Sequence, residues 1–282
     1  MKLCRYGKPG YEKPGMIDDE GKLRDLSKIV DNIGPNEISP RGLKMLTRLK
    51  PESLPLVNGA PRYGVPYVGI GKFVAIGLNY SDHAKEAGLP IPPEPIVFMK
   101  ATTCISGPSD DVIQPKNSTK LDWEVELGVV IGTTARYVDE GSALNHVAGY
   151  CIVNDVSERS FQMATSQWDK GKGFDSAGPI GPWLVTTDEV RDPQTLDMKL
   201  EVNGKTMQSG NTRTMVFNVA KIISHVSQYM TLLPGDIIAT GTPPGVGLGM
   251  RPPVFLKPGD VMRLTIAGLG EQKQRVVAYS AS

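Results

Sequence analysis

The sequence predicts an α+β protein dominated by short β-strands and tight turns. There are 31 glycines and 23 prolines in 282 residues, above average usage, and they fall between short strand-like runs. Asn203-Gly204 lies between two alternating runs, which is a strong β-hairpin signal. A helix is expected at 218–230, where apolar residues recur at helical spacing. The pattern favours a turn-rich β fold over a helical bundle.

Composition excludes several classes of function. The net charge is +1, from 31 basic and 30 acidic residues, so no electrostatic argument favours nucleic acid or an anionic membrane as a partner. The N-terminus has no apolar signal region, and no apolar run is long enough to span a bilayer. The three widely spaced cysteines indicate a reduced, cytoplasmic protein.

The first 70 residues are expected to form a small N-terminal domain, followed by a larger domain at 71–282. A hairpin-like turn is predicted at 16–23, and a short helix should begin at Pro40 with Ser39 as its cap. Prolines then recur between residues 51 and 66, a pattern typical of a linker.

A short buried strand at 73–78 leads into a predicted short helix that Ser81 or Asp82 caps and Gly88 ends. His83 and Glu86 then lie three residues apart on one helix face. A carboxylate beside an imidazole fixes its tautomer and raises its basicity, as a general base requires. The alternative is an ordinary surface contact.

An acidic run at 121–131 is predicted to be a strand in which Glu124 and Glu126 point the same way. Two adjacent carboxylates on a buried strand need a divalent cation or a shared proton. The alternative is an edge strand with a solvated acidic face.

Asp155 ends another apolar strand, 29 residues after Glu126, a distance suited to a strand, a connection and a return strand. We therefore expect Asp155 to meet the two glutamates. Three carboxylates with little nitrogen or sulfur nearby form a hard oxygen site, which suits Mg²⁺, Mn²⁺ or Ca²⁺ rather than Zn²⁺.

Two loops complete the candidate site. The Gly-spaced segment 168–175 carries Lys170 and Lys172, which could bind an anionic substrate or stabilise an enolate; the alternative is a solvated loop. The Gly-rich segment 236–249 matches neither nucleotide-binding fingerprint. We expect it to deliver backbone N–H groups or the Thr242 hydroxyl to a small ligand.

These motifs in this order resemble the fumarylacetoacetate hydrolase family over roughly residues 70 to 280. The motifs that carry the resemblance are Gly77-Leu78-Asn79-Tyr80-x-x-His83-x-x-Glu86, Phe98-x-Lys100, Asp122-Trp123-Glu124-Val125-Glu126-Leu127, Asn154-Asp155-Val156-Ser157-x-Arg159-x-x-Gln162, Lys170-Gly171-Lys172-Gly173-Phe174-Asp175 and Gly241-Thr242-Pro243-x-Gly245-Val246-Gly247.

The resemblance implies a mixed-sheet β-roll, a homodimer, and a divalent metal, Mg²⁺ or Mn²⁺, held by Glu124, Glu126 and Asp155. It also implies that His83 and Glu86 activate water from a lid segment and that Lys172 stabilises developing negative charge. Residues that would contact the substrate by the same resemblance are Gln162, Thr242 and Arg159.

The implied reaction is hydrolysis of a C–C bond in a β-diketo acid, either a 2,4-diketo-3-deoxy sugar acid or an acylpyruvate, with release of pyruvate. The complete dyad of His83 and Glu86 suits hydrolysis, and on that ground the sugar acid is the expected substrate. The alternatives within the resemblance are a ureidoglycolate lyase and an oxaloacetate decarboxylase. A non-catalytic acid- or metal-binding module would lack His83, Glu86 or Lys172, and all three are present.

Overall fold

The structure is a computed structural model that describes residues 1–280 of the chain. Its strands, in chain order, are β1 (Lys2–Tyr6), β2 (Lys13–Ile17), β3 (Leu23–Asp25), β4 (Phe73–Gly77), β5 (Ile96–Lys100), β6 (Ile105–Ser106), β7 (Val112–Gln114), β8 (Leu121–Asp122), β9 (Val125–Ile131), β10 (Val147–Asn154), β11 (Ser157–Glu158), β12 (Gly178–Thr186), β13 (Asp197–Val202), β14 (Lys205–Asn211), β15 (Ile237–Ala239), β16 (Val261–Ile266) and β17 (Gly270–Ala278). Its helices are α1 (Pro40–Leu46), α2 (Ser81–Ala87), α3 (Arg159–Gln162), α4 (Asp169–Lys172) and α5 (Val219–Tyr229), with short 3₁₀ helices at Pro51–Ser53, Thr102–Cys104, Glu140–His146, Thr212–Thr214 and Gly247–Gly249.

The larger sheet is mixed and has ten strands in the order β3-β2-β1-β12-β10-β9-β15-β4-β5, with β6 pairing against β12. Most neighbours are antiparallel, whereas β15 pairs with β4, and β12 with β6, in parallel. Every residue of β9 and β10 is buried, so these two strands form the centre of the sheet. The mixed-sheet α+β fold predicted from the sequence is confirmed.

A second sheet of five strands, in the order β14-β13-β16-β17-β7, contributes to the same hydrophobic core as the large sheet. Its β13–β14 hairpin turns at Asn203-Gly204, and both residues have positive φ, 51° and 78°. That is the backbone of a type I′ turn, and the predicted hairpin is confirmed.

The N-terminal segment does not form a sheet of its own. Strands β1, β2 and β3 are antiparallel neighbours, and β1 pairs with β12 of the larger domain. The predicted cap of α1 is present, since the Ser39 hydroxyl accepts the Gly42 N–H, and Pro40 begins the helix. One sheet therefore contains strands from both sides of residue 70. The predicted domain boundary near that residue stays a prediction.

The sequence predicted one continuous strand at 121–131, and this is wrong. The segment breaks at Trp123 and Glu124, between β8 and β9. The backbone N–H groups there donate to side chains instead of a neighbouring strand. The Trp123 N–H donates to Asp122 Oδ1, and the Glu124 N–H donates to Asn154 Oδ1. The Val125 N–H donates to Gln208 Oε1 at 3.0 Å.

The expected start of the second helix is also wrong. Tyr80 is the N-cap of α2 and gives no side-chain cap. The Ser81 hydroxyl donates to the Thr214 carbonyl, and the Asp82 carboxylate accepts the Thr214 hydroxyl, so these side chains attach the helix to a neighbouring segment. Gly88 does end the helix in the left-handed conformation, at φ 67°.

Two further helices can be compared with the sequence predictions. Segment 168–175, expected to be a loop, contains the one-turn helix α4. The helix expected at 218–230 is confirmed as α5, with the Asn218 side chain as its cap. No helix within residues 1–280 combines the length and apolar character needed to cross a lipid bilayer.

Candidate active site

Three carboxylates meet where β9 and β10 pair. Glu126 lies opposite Val153 in the antiparallel register, and the Asp155 N–H donates to the Glu124 carbonyl at 2.9 Å. One carboxylate oxygen from each of Glu124, Glu126 and Asp155 lies within 4.8 Å of the others. The prediction that a return strand brings Asp155 to the two glutamates is confirmed.

These carboxylates are buried, so the alternative of a solvated acidic edge is wrong. Glu124 is 6% exposed, Glu126 2% and Asp155 0%. The strand that follows Glu124 is central in the sheet rather than at its edge. A buried carboxylate is costly unless a cation or a proton compensates it.

Three cationic side chains compensate two of the three carboxylates. Lys172 Nζ donates to Glu124 Oε2 and to Asp155 Oδ2, both at 2.7 Å. Arg159 Nη2 donates to the other oxygen of Glu124 at 2.6 Å, and Lys100 Nζ donates to the other oxygen of Asp155 at 2.6 Å. Both oxygens of Glu124 and both oxygens of Asp155 therefore face a positive charge.

Glu126 differs from its two neighbours. Its Oε2 accepts the Gly241 N–H at 2.8 Å, and within residues 1–280 no lysine or arginine forms an ion pair with it. Burial, followed by the negative charges of Asp155 and Glu124, raises the pKa of Glu126 well above 4.5. Burial also raises the pKa of Glu124, but Lys172 and Arg159 outweigh burial and lower it to about 2.

The cluster therefore fits a divalent cation. Asp122, Glu124, Glu126 and Asp155 supply four buried carboxyl groups against the three cations of Lys100, Arg159 and Lys172, which leaves Glu126 without a cationic partner. The convergent donors of the triad are all carboxylate oxygens, the ligands that Mg²⁺, Mn²⁺ and Ca²⁺ prefer.

Helix α3 holds Arg159 and Gln162 in the site. The Glu158 side chain caps this helix by accepting the Phe161 N–H at 2.9 Å. Arg159 Nη1 donates to Gln162 Oε1 at 3.0 Å, and its Nε donates to Asp122 Oδ2 at 2.8 Å. Arg159 thus makes three hydrogen bonds to protein side chains, whereas the amide nitrogen of Gln162 keeps its donors.

Helix α2 supplies the expected dyad. His83 Nδ1 lies 3.0 Å from Glu86 Oε2, and Glu86 also accepts the Gly245 N–H. With Nδ1–H donating to the carboxylate, Nε2 of His83 keeps its lone pair and can accept a proton. This pair joins the helix to the Gly-rich loop, and the alternative of an ordinary surface contact does not describe it.

All nine site residues predicted from the sequence line one cavity of about 620 Å³. They are His83, Glu86, Glu124, Glu126, Asp155, Arg159, Gln162, Lys172 and Thr242. Lys172 is buried and Lys170 is exposed, so only the former belongs to the site. The cavity brings the residues together; the individual roles given to them stay predictions.

Three residues next to the predicted site were not assigned a role from the sequence. Lys100 pairs with Asp155 and also donates to the backbone carbonyl of Lys172. Asp122 accepts the Gly247 and Leu248 N–H groups of the Gly-rich loop. Gln208 donates to the Thr242 hydroxyl at 2.7 Å. The available signals were Phe98-x-Lys100 and the even spacing of Asp122 with the two glutamates.

Comparisons with known proteins identify the family and the fold. The family model described as fumarylacetoacetate (FAA) hydrolase C-terminal matches residues 72–277. A Burkholderia multivorans protein is 60% identical over 276 residues, which are 97% of this chain and 98% of its own; its name proposes a hydrolase and gives no substrate.

Two solved structures share the fold along almost the whole chain. A fumarylacetoacetate hydrolase from Exiguobacterium antarcticum is 37% identical, with a TM-score of 0.89, over 99% of this chain and 100% of that one. A maleylpyruvate hydrolase from Sphingobium sp. SYK-6, solved with manganese(II) and pyruvate, is 29% identical, with a TM-score of 0.82, over 99% of this chain and 100% of that one.

Proposed function

The chain belongs to the fumarylacetoacetate hydrolase family, and we propose that it is a divalent-metal-dependent hydrolase that cleaves a C–C bond of a β-diketo acid and releases pyruvate. One observation carries the proposal: the carboxylate cluster of Glu124, Glu126 and Asp155 lines the same cavity as the dyad of His83 and Glu86. One bound molecule can then contact both the general base and the site for a hard cation.

Glu124, Glu126 and Asp155 would hold the metal, with Mg²⁺ or Mn²⁺ as the proposed ion. When bound, such a cation supplies a Lewis acid and a template for the α-keto acid end of the substrate. Glu126 supports this assignment because it is the one carboxylate of the triad without a lysine or arginine partner, as does the manganese(II) in the related maleylpyruvate hydrolase structure.

His83 is the proposed general base. Glu86 accepts Nδ1–H of His83, and Nε2 takes a proton from a water molecule. The water oxygen adds to the C4 carbonyl carbon, and the C3–C4 bond then breaks. Its electron pair remains on C3 as the enolate of pyruvate, and a proton returned to C3 gives pyruvate. The other product is the carboxylic acid that contains C4 and the water oxygen.

Lys172 would stabilise the negative charge that develops on the enolate oxygen. Its ammonium has three N–H donors, and two of them are used by Glu124 and Asp155. The third donor is available to a bound molecule. Burial lowers the pKa of Lys172, but Asp155 and Glu124 outweigh burial and raise it, which keeps the side chain charged.

The remaining predicted residues would position the substrate. Gln162 can donate through its amide nitrogen because its oxygen is occupied by Arg159. The Thr242 hydroxyl donates to the Val125 carbonyl and accepts from Gln208, so its backbone N–H is the better donor for a ligand. Arg159 donates hydrogen bonds to Glu124 and Asp122, so it chiefly positions these carboxylates.

The test is release of pyruvate from a 2,4-diketo-3-deoxy sugar acid and from acetylpyruvate, with Mg²⁺, with Mn²⁺ and with a chelator. We expect metal-dependent pyruvate together with the matching carboxylic acid, and near-complete loss of turnover in Glu124→Ala. Full turnover of Glu124→Ala would refute the site. Turnover of oxaloacetate or ureidoglycolate alone would replace the hydrolase by a decarboxylase or a lyase.

A further inference from the structure

On the premise of the hydrolase proposed above, we infer that the group attached to the scissile carbonyl is apolar, so that the substrate is an acylpyruvate with a hydrocarbon acyl group rather than a sugar acid. The observation is the unequal lining of the cavity. Polar side chains gather around the carboxylate cluster and the dyad, and the rest of the wall is largely apolar.

The apolar part of the wall comes from several separate elements. It includes Ile96 and Phe98 on β5, Met163 after α3, Trp168 before α4, Leu248 in the Gly-rich loop and Met250 just after it. Outside the carboxylate cluster, its cationic partners and the dyad, the wall has three polar side chains, Gln162, Thr242 and Arg251, besides the indole N–H of Trp168. Thr242 and Arg159 already bond to protein groups.

A sugar acid fits this wall poorly. Such a substrate carries one or two hydroxyl groups on the group beyond the scissile carbonyl, and each must find a partner when it leaves water. An unpaired hydroxyl lowers affinity by about fivefold or more. The cavity volume of about 620 Å³ also exceeds what a two- or three-carbon hydroxyl-bearing group would fill beside a pyruvate unit.

The part of the apolar wall next to Lys172, the proposed charge-stabilising residue, is an aromatic pair. The rings of Phe98 and Trp168 meet edge to face, with their centroids 5.3 Å apart. Lys172 Nζ lies 5.3 Å from the centroid of Phe98. A chain or ring attached to the reacting carbonyl would therefore leave the lysine and contact aromatic surface.

The backbone makes room for this arrangement at Gly77. A Cβ atom placed on Gly77 would lie 2.5 Å from Cζ3 of the Trp168 indole, too close for a real contact. Glycine at the end of β4 therefore allows the indole to approach the strand closely. Since φ of Gly77 is not in the left-handed region, an alanine there would displace the indole without straining the backbone.

The apolar wall also remains open at the cavity mouth. Met163 is 69% exposed and Leu248 41% exposed, and no segment within residues 1–280 covers them fully. Exposed apolar side chains around a cavity are a common feature of ligand sites. Each methylene that a ligand buries against them raises affinity about three- to fourfold.

The first experiment compares kcat/KM for pairs of substrates with Mn²⁺ present. The sugar acid 5-hydroxy-2,4-dioxohexanoate carries a hydroxyl group on C5. The compound 5-methyl-2,4-dioxohexanoate has a methyl group in its place and is otherwise identical. We expect the methyl compound to be preferred about fivefold or more. Along acetyl-, hexanoyl- and benzoylpyruvate, we expect hexanoyl and benzoyl to exceed acetyl at least about tenfold. Equal rates within each comparison, or preference for the hydroxyl compound, would overturn the inference.

A binding experiment separates this inference from the hydrolase function. N-methyl and N-hexyl oxamate share an α-keto-acid-like end and differ in hydrocarbon length, so calorimetry with each reports the apolar wall without turnover. We expect N-hexyl oxamate to bind at least about tenfold tighter. If it does so while no acylpyruvate gives pyruvate, the hydrolase function fails and the apolar subsite stands. Equal binding refutes the subsite even if pyruvate is released.

Two variants test whether the aromatic pair forms this wall. Trp168→Ala deletes the indole, and Gly77→Ala displaces it while keeping the residue. In both, we expect the preference for N-hexyl over N-methyl oxamate to fall below about threefold. Tyr11→Ala, which changes an 83% exposed aromatic residue in the N-terminal segment, should keep the wild-type preference. A wild-type preference in Gly77→Ala and Trp168→Ala alike would contradict the assignment.

Discussion

Glu86 accepts the backbone N–H of Gly245 at 3.0 Å, and the same carboxylate lies 3.0 Å from Nδ1 of His83. One side chain thus orients the proposed base and holds the Gly-rich loop beside the cavity. Gly245 has φ of 104°, and a Cβ atom there would lie 1.9 Å from the Met207 carbonyl oxygen, so only glycine allows this approach. Helix α2 and the loop therefore form one unit through Glu86.

Glu86→Gln separates the two roles of this carboxylate. The amide oxygen can still accept the Gly245 N–H, but a neutral amide cannot stabilise the positive charge on His83 during proton transfer. We expect kcat for hydrolysis of a β-diketo acid to fall about 100-fold or more, with little change in thermal stability. Steady-state pyruvate release and thermal unfolding measure the two effects.

The control for this variant is Glu94→Gln, which changes an exposed glutamate and should leave turnover unaltered. Decarboxylation of oxaloacetate needs an enolate-stabilising group but no activated water, so Glu86→Gln should spare that reaction if the wild-type protein shows it. Unaffected hydrolysis in Glu86→Gln would argue against His83 as the base.

Local signals predicted the fold where short-range contacts decide the structure. The turn at Asn203-Gly204, the Ser39 cap of α1 and the amphipathic helix α5 all appear where the sequence placed them. The break in the acidic strand could not be read in the same way. It depends on Asn154 and Gln208, whose side chains arrive from other strands and replace the expected backbone partners.

The same distinction applies to the site. The spacing of Glu124 and Glu126 and the family motifs identified the groups that converge on the cavity. Lys100 was part of a motif but received no role, because its partner Asp155 is defined only once β5 and β10 lie in one sheet. The apolar wall around Trp168 likewise depends on contacts between distant segments, including that with Gly77.

Glu126→Gln should stabilise the metal-free protein. It should also remove the increase in unfolding temperature that added metal gives the wild type. In the chelated wild-type protein, the raised pKa of Glu126 means that the folded state keeps a proton that the unfolded state loses above about pH 4.5. The free energy of unfolding therefore falls as pH rises from about 4.5 towards that raised pKa. Glutamine cannot titrate and removes this loss.

Urea unfolding of both chelated proteins between pH 5 and pH 8.5 provides the measurement. We expect Glu126→Gln to be more stable than wild type at the alkaline end, with the difference shrinking towards acid. Mn²⁺ should raise the unfolding temperature of wild type and not of the variant. Parallel pH curves, or equal stabilisation by Mn²⁺, would contradict the role of Glu126 as an uncompensated ligand.

Lys172→Met should strongly reduce turnover while keeping, and even enlarging, the stabilisation of the fold by metal. Lys172 Nζ is 2.7 Å from both Glu124 and Asp155, so its loss leaves buried carboxylates without a partner in the chelated protein. Breaking a buried ion pair in this way costs about 3 to 5 kcal/mol. An added divalent cation supplies the missing positive charge, so the rise in unfolding temperature with Mn²⁺ should exceed that of wild type. Turnover of a β-diketo acid should nevertheless fall at least about 100-fold, because the cation cannot replace the third N–H donor of the lysine.

Lys170→Met is the matched control, since it removes a lysine from the same helix at an exposed position. Its stability should stay within about 0.5 kcal/mol of wild type and its turnover should be unchanged. If Lys172→Met retained turnover, Lys172 would not be the group that stabilises the enolate. If its metal response were weaker than that of wild type, the lysine would instead be needed to hold Glu124 and Asp155 in the arrangement that binds the cation. The two readouts therefore distinguish a residue that acts on the substrate from one that only organises the carboxylates.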